Sequence, residues 1–297
     1  MGINDIIIYI MVIFMIIGGI DKILGNKFGY GEKFEEGFMA MGSLALAMVG
    51  VISLAPVLAK VLRPVVEPLY TALGADPAMF ATTLLANDMG GYPLAMELAK
   101  DPNAGLFAGL ILGAMMGPTL VFTIPVALGI IEKEDRPYLA KGVLAGMITI
   151  PLGCLAGGLV AGFGINMIIM NLIPIIIFAV LICIGLWLIP EKMTKGFTIF
   201  GQGVVIVITI GLMAAIVETL TGIVVIPGMA PLSEGINVIG SIAIVLAGAF
   251  PLVHFITKAF KAPLTKVGKQ LGMNEVGAAG LVATLANNIP MFGMLKD

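Results

Sequence analysis

Nine stretches of about twenty apolar residues follow one another along this chain, and that succession decides which solvent it can face. They run near 5–24, 38–59, 77–99, 104–131, 139–163, 165–189, 203–226, 236–257 and 275–295. A helix needs about 20 apolar residues to cross the hydrocarbon core of a bilayer. Of the 297 residues 59% are hydrophobic and only 11% charged, and mean hydropathy is +1.10. A soluble domain carries about 25% charged residues, so this chain cannot cover a water-facing surface. The expected fold is all-α: a polytopic transmembrane helical bundle of about nine membrane segments. Short turns rich in Gly, Pro and Asn, such as Gly25-Asn26-Lys27 and Asp101-Pro102-Asn103, separate the stretches. No linker is long enough to divide soluble domains, so residues 1–297 form a single membrane domain. The N-terminal Met-Gly-Ile-Asn-Asp lacks the basic stretch of a secretory signal, and the first segment is expected to stay as a span.

Several classes are excluded. The formal net charge of -2 gives no basic field for nucleic acid. Cys154 and Cys183 lie inside apolar runs with neither disulfide nor metal spacing, so no metal and no cofactor is expected. No Gly-x-Ser-x-Gly, phosphate-binding glycine loop or His/Cys constellation is present, which argues against an enzyme. Basic residues at 60–63, 133–141, 192–195 and 258–269 all follow even-numbered segments, which points to a cytoplasmic N-terminus. The loop at 22–35, with Lys22, Lys27 and Lys33, disagrees with that orientation.

Gly105, Gly109, Gly113 and Gly117 recur every four residues, a spacing that lets helix backbones approach closely in lipid. We read this stripe as packing and give it no chemistry. A second regularity is an internal repeat. Residues 36–51 (EGFMAMGSLALAMVGV) match 234–249 (EGINVIGSIAIVLAGA) at six positions, at an offset of 198. Leu73-Gly74 matches Leu271-Gly272 at the same offset, and Leu85-Ala86-Asn87 matches Leu285-Ala286-Asn287 two residues later. The repeats then cover 1–195 and 200–297, and the second is expected to be incomplete at its C-terminus. Transporters are often built from such repeats, with the substrate site near the midplane at their interface. Whether these repeats are parallel or inverted depends on whether 77–99 crosses the membrane or re-enters it.

Polar groups at membrane depth are functional candidates by default. Asn87-Asp88-Met89-Gly90-Gly91 and Asn287-Asn288-Ile289-Pro290 stand mid-segment in the two repeats, each with residues that interrupt a helix. Asp88 is the one carboxylate there, and a carboxylate among amides suits a small monovalent cation such as a primary ammonium. Asn87, Asn287 and Asn288 would bond its hydroxyl or remaining N–H donors. Tyr92 or Phe80 would add a cation–π face, the alternative being packing. Glu36 and Glu234, equivalent in the two repeats, are either site residues or helix N-caps. Glu218, inside the 203–226 segment, and His254, the one histidine, are candidate ion-coupling groups; a core role is open for the histidine. Trp187 reads as an interfacial anchor.

The stretches FEEGFMAMGSLALAMVGVISLAPVLA (34–59) and GADPAMFATTLLANDMGGYPLAMELA (74–99) closely resemble the ethanolamine permease (EutH) family of bacterial ethanolamine-utilisation operons, and the likeness runs the length of the chain. The resemblance implies an inner-membrane protein that brings in ethanolamine for breakdown by a cobalamin-dependent lyase. Family site residues are not carried over, and Asp88 rests on the reasoning above. The expected partners are ethanolamine or a similar small cation and membrane lipid, with a homo-oligomer left open. Alternatives are a sodium- or proton-coupled transporter of another small cation or amino acid, and an amine-binding membrane sensor or scaffold.

Overall fold

The computed structural model describes residues 3–124, 127, 131–270, 272–273, 277–278, 280, 284 and 291–292. Helices account for all regular structure among them. Helix α1 is Ile3–Ile23, α2 Tyr30–Ala72, α3 Ala78–Leu84 and α4 Gly91–Leu98, with a 3-10 turn at Asn87–Met89. Then α5 (Pro102–Leu106) and α6 (Gly113–Pro118) alternate with π-helical stretches at Phe107–Leu112 and Thr119–Thr123. Helices α7 (Arg136–Val160), α8 (Ile165–Leu188), α9 (Pro190–Thr221) and α10 (Leu232–Gln270) follow.

Six helices among the described residues are long and apolar enough to cross a membrane: α1, α2, α7, α8, α9 and α10. Large apolar side chains such as Ile176, Leu181, Ile206 and Ile244 stand exposed along them, as lipid-facing surfaces require. The chain is therefore a multi-pass membrane protein. Three of the nine expected segments do not join the six. The 77–99 segment is two short helices, because residues 85–90 leave the α-helix. Residues 102–123 keep helical dihedrals, but widened π turns divide them into short pieces. Most of 275–295 lies outside the described residues.

The chain divides into two compact units, 1–45 with 236–297, and 46–235. In the first, the α1–α2 turn is organised by Asp21, whose carboxylate accepts the N–H groups of Phe28 (3.0 Å), Tyr30 (2.9 Å) and Gly31 (3.0 Å). The Tyr30 and Gly31 N–H groups open α2 and have no partner within the helix, so an acid there also meets the positive end of its dipole. Gly18 packs against Phe34 and Pro251, and the backbone of Gly37 meets Leu246 and Ala247. In the second unit, Met79, Leu98, Phe107, Met116, Ile168 and Ile175 are fully buried around α3 and α4. The long rods pack by glycine here as well: a Cβ on Gly211 of α9 would lie 2.6 Å from the Gly50 carbonyl oxygen of α2.

Candidate functional site

Helices α3 and α4 form a hairpin, and one carboxylate ties its two ends. Asp76 Oδ1 accepts the Ala78 N–H (2.9 Å), while Oδ2 accepts those of Lys100 (3.0 Å) and Asp101 (2.9 Å). Asn171, buried in α8, fixes this knot: its Oδ1 accepts the Asp76 N–H at 2.7 Å and its Nδ2 donates to Met167 O at 2.9 Å. At 1.5 Å per residue each leg is only about 10–12 Å long, against a hydrocarbon core of about 30 Å. Sequence reasoning missed Asp76 and Asn171, since nothing local links positions 95 residues apart.

The hairpin's tip follows from its residues. Leu85 and Ala86 are extended, and Ala86 O accepts the N–H groups of both Met89 (3.0 Å) and Gly91 (2.9 Å). Gly90 turns the chain at φ +88°, a conformation costly for any residue with a Cβ. A side chain there would also collide with Val51 of α2. The turn exposes Asp88, whose carboxylate has no hydrogen bond or ion pair among the described residues. Asn87 is half-buried, and its Oδ1 accepts the Asp88 N–H at 2.9 Å.

The glycine stripe is what holds this hairpin. Cβ atoms built on the stripe would meet Ala99 Cβ at Gly105 (2.9 Å), the Tyr92 ring at Gly109 (2.5 Å), and the Leu85 carbonyl at Gly117. At Gly113 they would meet Thr82 Cγ2 at 3.0 Å and Asn87 Cβ at 3.2 Å. From base to tip, the hairpin lies on the face that lacks side chains. Packing is thus the stripe's role, as expected, and what it packs is the polar tip. Two hydroxyls in this unit, Ser53 Oγ and Thr82 Oγ1, are buried with no hydrogen-bond partner among the described residues. Such orphans cost about 1–3 kcal/mol each.

The other expected residues are spread more widely. Tyr92 sits in the first turn of α4 with its ring on Gly109, which is packing. Phe80 is edge-on to Tyr70 at 6.3 Å. Glu36 lies inside α2 rather than ahead of it, paired with Lys33 at 2.7 Å, so it caps nothing. Glu234 is exposed in the first turn of α10. Glu218 is in the last turn of α9 rather than deep within a segment, because Gly222 ends that helix in the left-handed region. Thr219 and Thr221 bond backbone carbonyls instead of pairing with it. His254 lies within α10, edge-on to Tyr30 at 5.1 Å, with Nε2 buried and without a partner among the described residues. Asn287 and Asn288 lie outside the described residues. No metal-binding group of His, Cys, Asp or Glu occurs among the described residues. At the hairpin's base an open cleft of about 600 Å³ holds Lys60, Arg63, Glu67 and Lys100. Within it Lys100 pairs with Glu67 at 2.7 Å and reaches Thr71 Oγ1 at 3.1 Å.

Six membrane-length helices among the described residues define a multi-pass membrane protein. The family model "Ethanolamine utilisation protein, EutH" matches residues 3–297, and the chain belongs to the EutH family. It is 72% identical to the probable ethanolamine permease EutH of Listeria monocytogenes, over all of this chain and 80% of that protein. Against the probable ethanolamine permease EutH of Escherichia coli K12, identity is 56% over all of this chain and 82% of that protein. An uncharacterized Bacillus subtilis protein, YxeR, is 57% identical over all of this chain and 80% of its own length. No solved structure matches the chain. Membership makes this a permease-family protein, a transporter and not an enzyme.

Proposed function

We propose that this protein carries ethanolamine across the bacterial cytoplasmic membrane, binding it as the ammonium cation at the tip of the α3–α4 hairpin. The observation that carries this reading is Asp88: an exposed carboxylate with no partner among the described residues, held on a turn between apolar helices. A primary ammonium keeps its proton well above neutral pH and supplies the missing charge. Asn87 lies beside it, and Asn287 and Asn288 are the second repeat's candidates by sequence. Glu218 and His254 are the groups to test for ion coupling. Glu36, Glu234 and Tyr92 rank lower, since Lys33 already takes Glu36 and Gly109 seats Tyr92.

Alternating access is the proposed mechanism, and the repeats would be inverted. Within the first unit α2 and α10 run antiparallel, with Gly37 against Leu246 and Ala247 and, further back along α2, Tyr30 beside His254. The offset of 198 makes these two helices equivalents: α2 ends at Ala72 and α10 at Gln270. Each is followed by a left-handed glycine, Gly74 (φ +73°) and Gly272 (φ +79°). Within the second unit Gly235, the equivalent of Gly37, meets Val49, the equivalent of Ala247. Equivalent helices that run in opposite directions favour an inverted duplication.

The hairpin supports the same reading, because a segment that returns to its own start does not cross. The first repeat then crosses with α1, α2, the rod over 102–123, α7 and α8, an odd number. This count puts the basic residues at 22–33, 133–141, 192–195 and 258–269 on one side and Lys60, Arg63 and Lys100 on the other. The positive-inside tendency then favours an N-terminus facing away from the cytoplasm, opposite to the orientation that nine crossings suggest. Labelling of Lys27→Cys from the cytoplasmic side alone is expected; labelling from outside returns the N-terminus to the cytoplasm.

Uptake of radiolabelled ethanolamine into proteoliposomes tests the function, with unlabelled amines and amino acids as competitors. Saturable uptake displaced best by ethanolamine is expected. Saturable binding without flux would make the protein a sensor, and displacement by an amino acid would move it to another substrate.

A further inference from the structure

Threonines in these helices have a habitual partner. The hydroxyls of Thr83, Thr119, Thr209 and Thr257 each donate to the carbonyl four residues earlier, at 2.6–2.8 Å. Thr82, next to Thr83 on α3, does not. Its side chain is 0% exposed, and Oγ1 has no partner among the described residues. Buried hydroxyls are nearly always bonded, so a buried one left free calls for an explanation, and a bound group from outside the chain is one that supplies the missing partner. The position of this one is specific. Thr82 Cγ2 and Asn87 Cβ converge on the same bare point of the stripe, Gly113, where a Cβ would stand 3.0 and 3.2 Å from them. Thr82 and Asn87 are thus neighbours across Gly113, and Asn87 directly precedes Asp88 in the chain.

We propose that Thr82 is the subsite that reads the hydroxyl of an amino alcohol, selecting it over plain alkylamines of the same length. This rests on the reading of Asp88 as the ammonium site and extends it to the substrate's other end. Ethanolamine carries its hydroxyl two carbons from its nitrogen, so a charge reader and a hydroxyl reader must be close neighbours. The two contacts divide the work. The carboxylate accepts any small ammonium, while a buried hydroxyl is satisfied only by a guest that brings a hydrogen-bonding group. A plain amine leaves it unpaired, and sites built to bond a substrate hydroxyl reject analogues that lack it.

The test compares Thr82→Val, which keeps the shape and removes the hydroxyl, with Thr82→Ser, which keeps the hydroxyl. Radiolabelled ethanolamine uptake is measured in proteoliposomes with ethylamine as competitor, alongside Asp88→Asn and melting in detergent. For Thr82→Val the expected result is uptake at low substrate reduced about tenfold, with inhibition by ethylamine unchanged. Selectivity collapses, melting is the same or higher because an unpaired polar group has gone, and Thr82→Ser restores preference for ethanolamine. Unaltered selectivity in Thr82→Val overturns the proposal, as does an equal loss for both amines that Thr82→Ser does not relieve. If Asp88→Asn is inactive while Thr82→Val keeps wild-type selectivity, only the hydroxyl subsite falls. If Asp88→Asn transports normally, the ammonium site falls with it.

Discussion

Asp21 and Asp88 each stand where a turn joins apolar helices, and the chain treats them in opposite ways. Asp21 is 2% exposed, and its two oxygens take the N–H groups of Phe28, Tyr30 and Gly31. Asp88 is exposed and takes none among the described residues. Asp21 falls late in the 5–24 apolar stretch and Asp88 in the middle of 77–99, and a general rule makes an acid within such a stretch a functional candidate. The difference lies in where the neighbouring backbone donors point. At the α1–α2 corner the opening turn of a long helix aims its N–H groups at the acid. At the hairpin tip Ala86 O takes the N–H groups of Met89 and Gly91, and Asn87 takes that of Asp88 itself. An acid whose bonds are filled internally holds structure; one whose bonds are left open is available to a guest.

Substitution should separate the two acids sharply. The largest expected effect is at Asp88: Asp88→Asn reduces ethanolamine uptake at low substrate on the order of a hundredfold while melting stays unchanged, as fits a lost charge-assisted contact. Asp21→Asn should do the reverse, lowering the melting temperature by on the order of 5 °C with uptake per folded molecule nearly intact. A smaller loss is expected for Gly113→Ala, whose methyl group must displace Thr82 or Asn87. It costs about 1–3 kcal/mol and lowers uptake several-fold, read by melting and flux together. The smallest effect is at Glu36→Gln, where an exposed pair with Lys33 contributes little, and uptake should stay within about twofold of wild type. A large flux defect there, with normal melting, would make Glu36 a site residue and blur the comparison.

How much could be read in advance follows the reach of each interaction. Helices and their ends are local, so apolar runs and the Gly and Pro that punctuate them located α1, α7 and α8 to within a few residues. The 77–99 segment has the apolarity of a span, and hydropathy cannot tell a crossing from a hairpin. That distinction rests on Asp76 meeting Lys100 and Asp101, which no local pattern records. The residues of the tip were legible because Asn, Asp and Gly-Gly are turn formers in an otherwise apolar run. Thr82 was not, since a threonine in a helix normally bonds its own backbone, and only the fold leaves this one without a partner. The glycine stripe was legible as a close-packing face, but its occupant was not. Glu36 and Glu218 were misplaced for one reason: helix ends were judged from apolarity, while α2 begins at Tyr30 and α9 ends at Thr221.

Radiolabelled ethanolamine uptake into proteoliposomes at acidic pH, where the neutral amine is scarce, tests the central claim most directly. Saturable uptake that persists in the wild type and is lost in a well-folded Asp88→Asn variant is the predicted result. Equal uptake by the two would contradict the claim, because the cation would then be passing without the one open carboxylate at the hairpin tip.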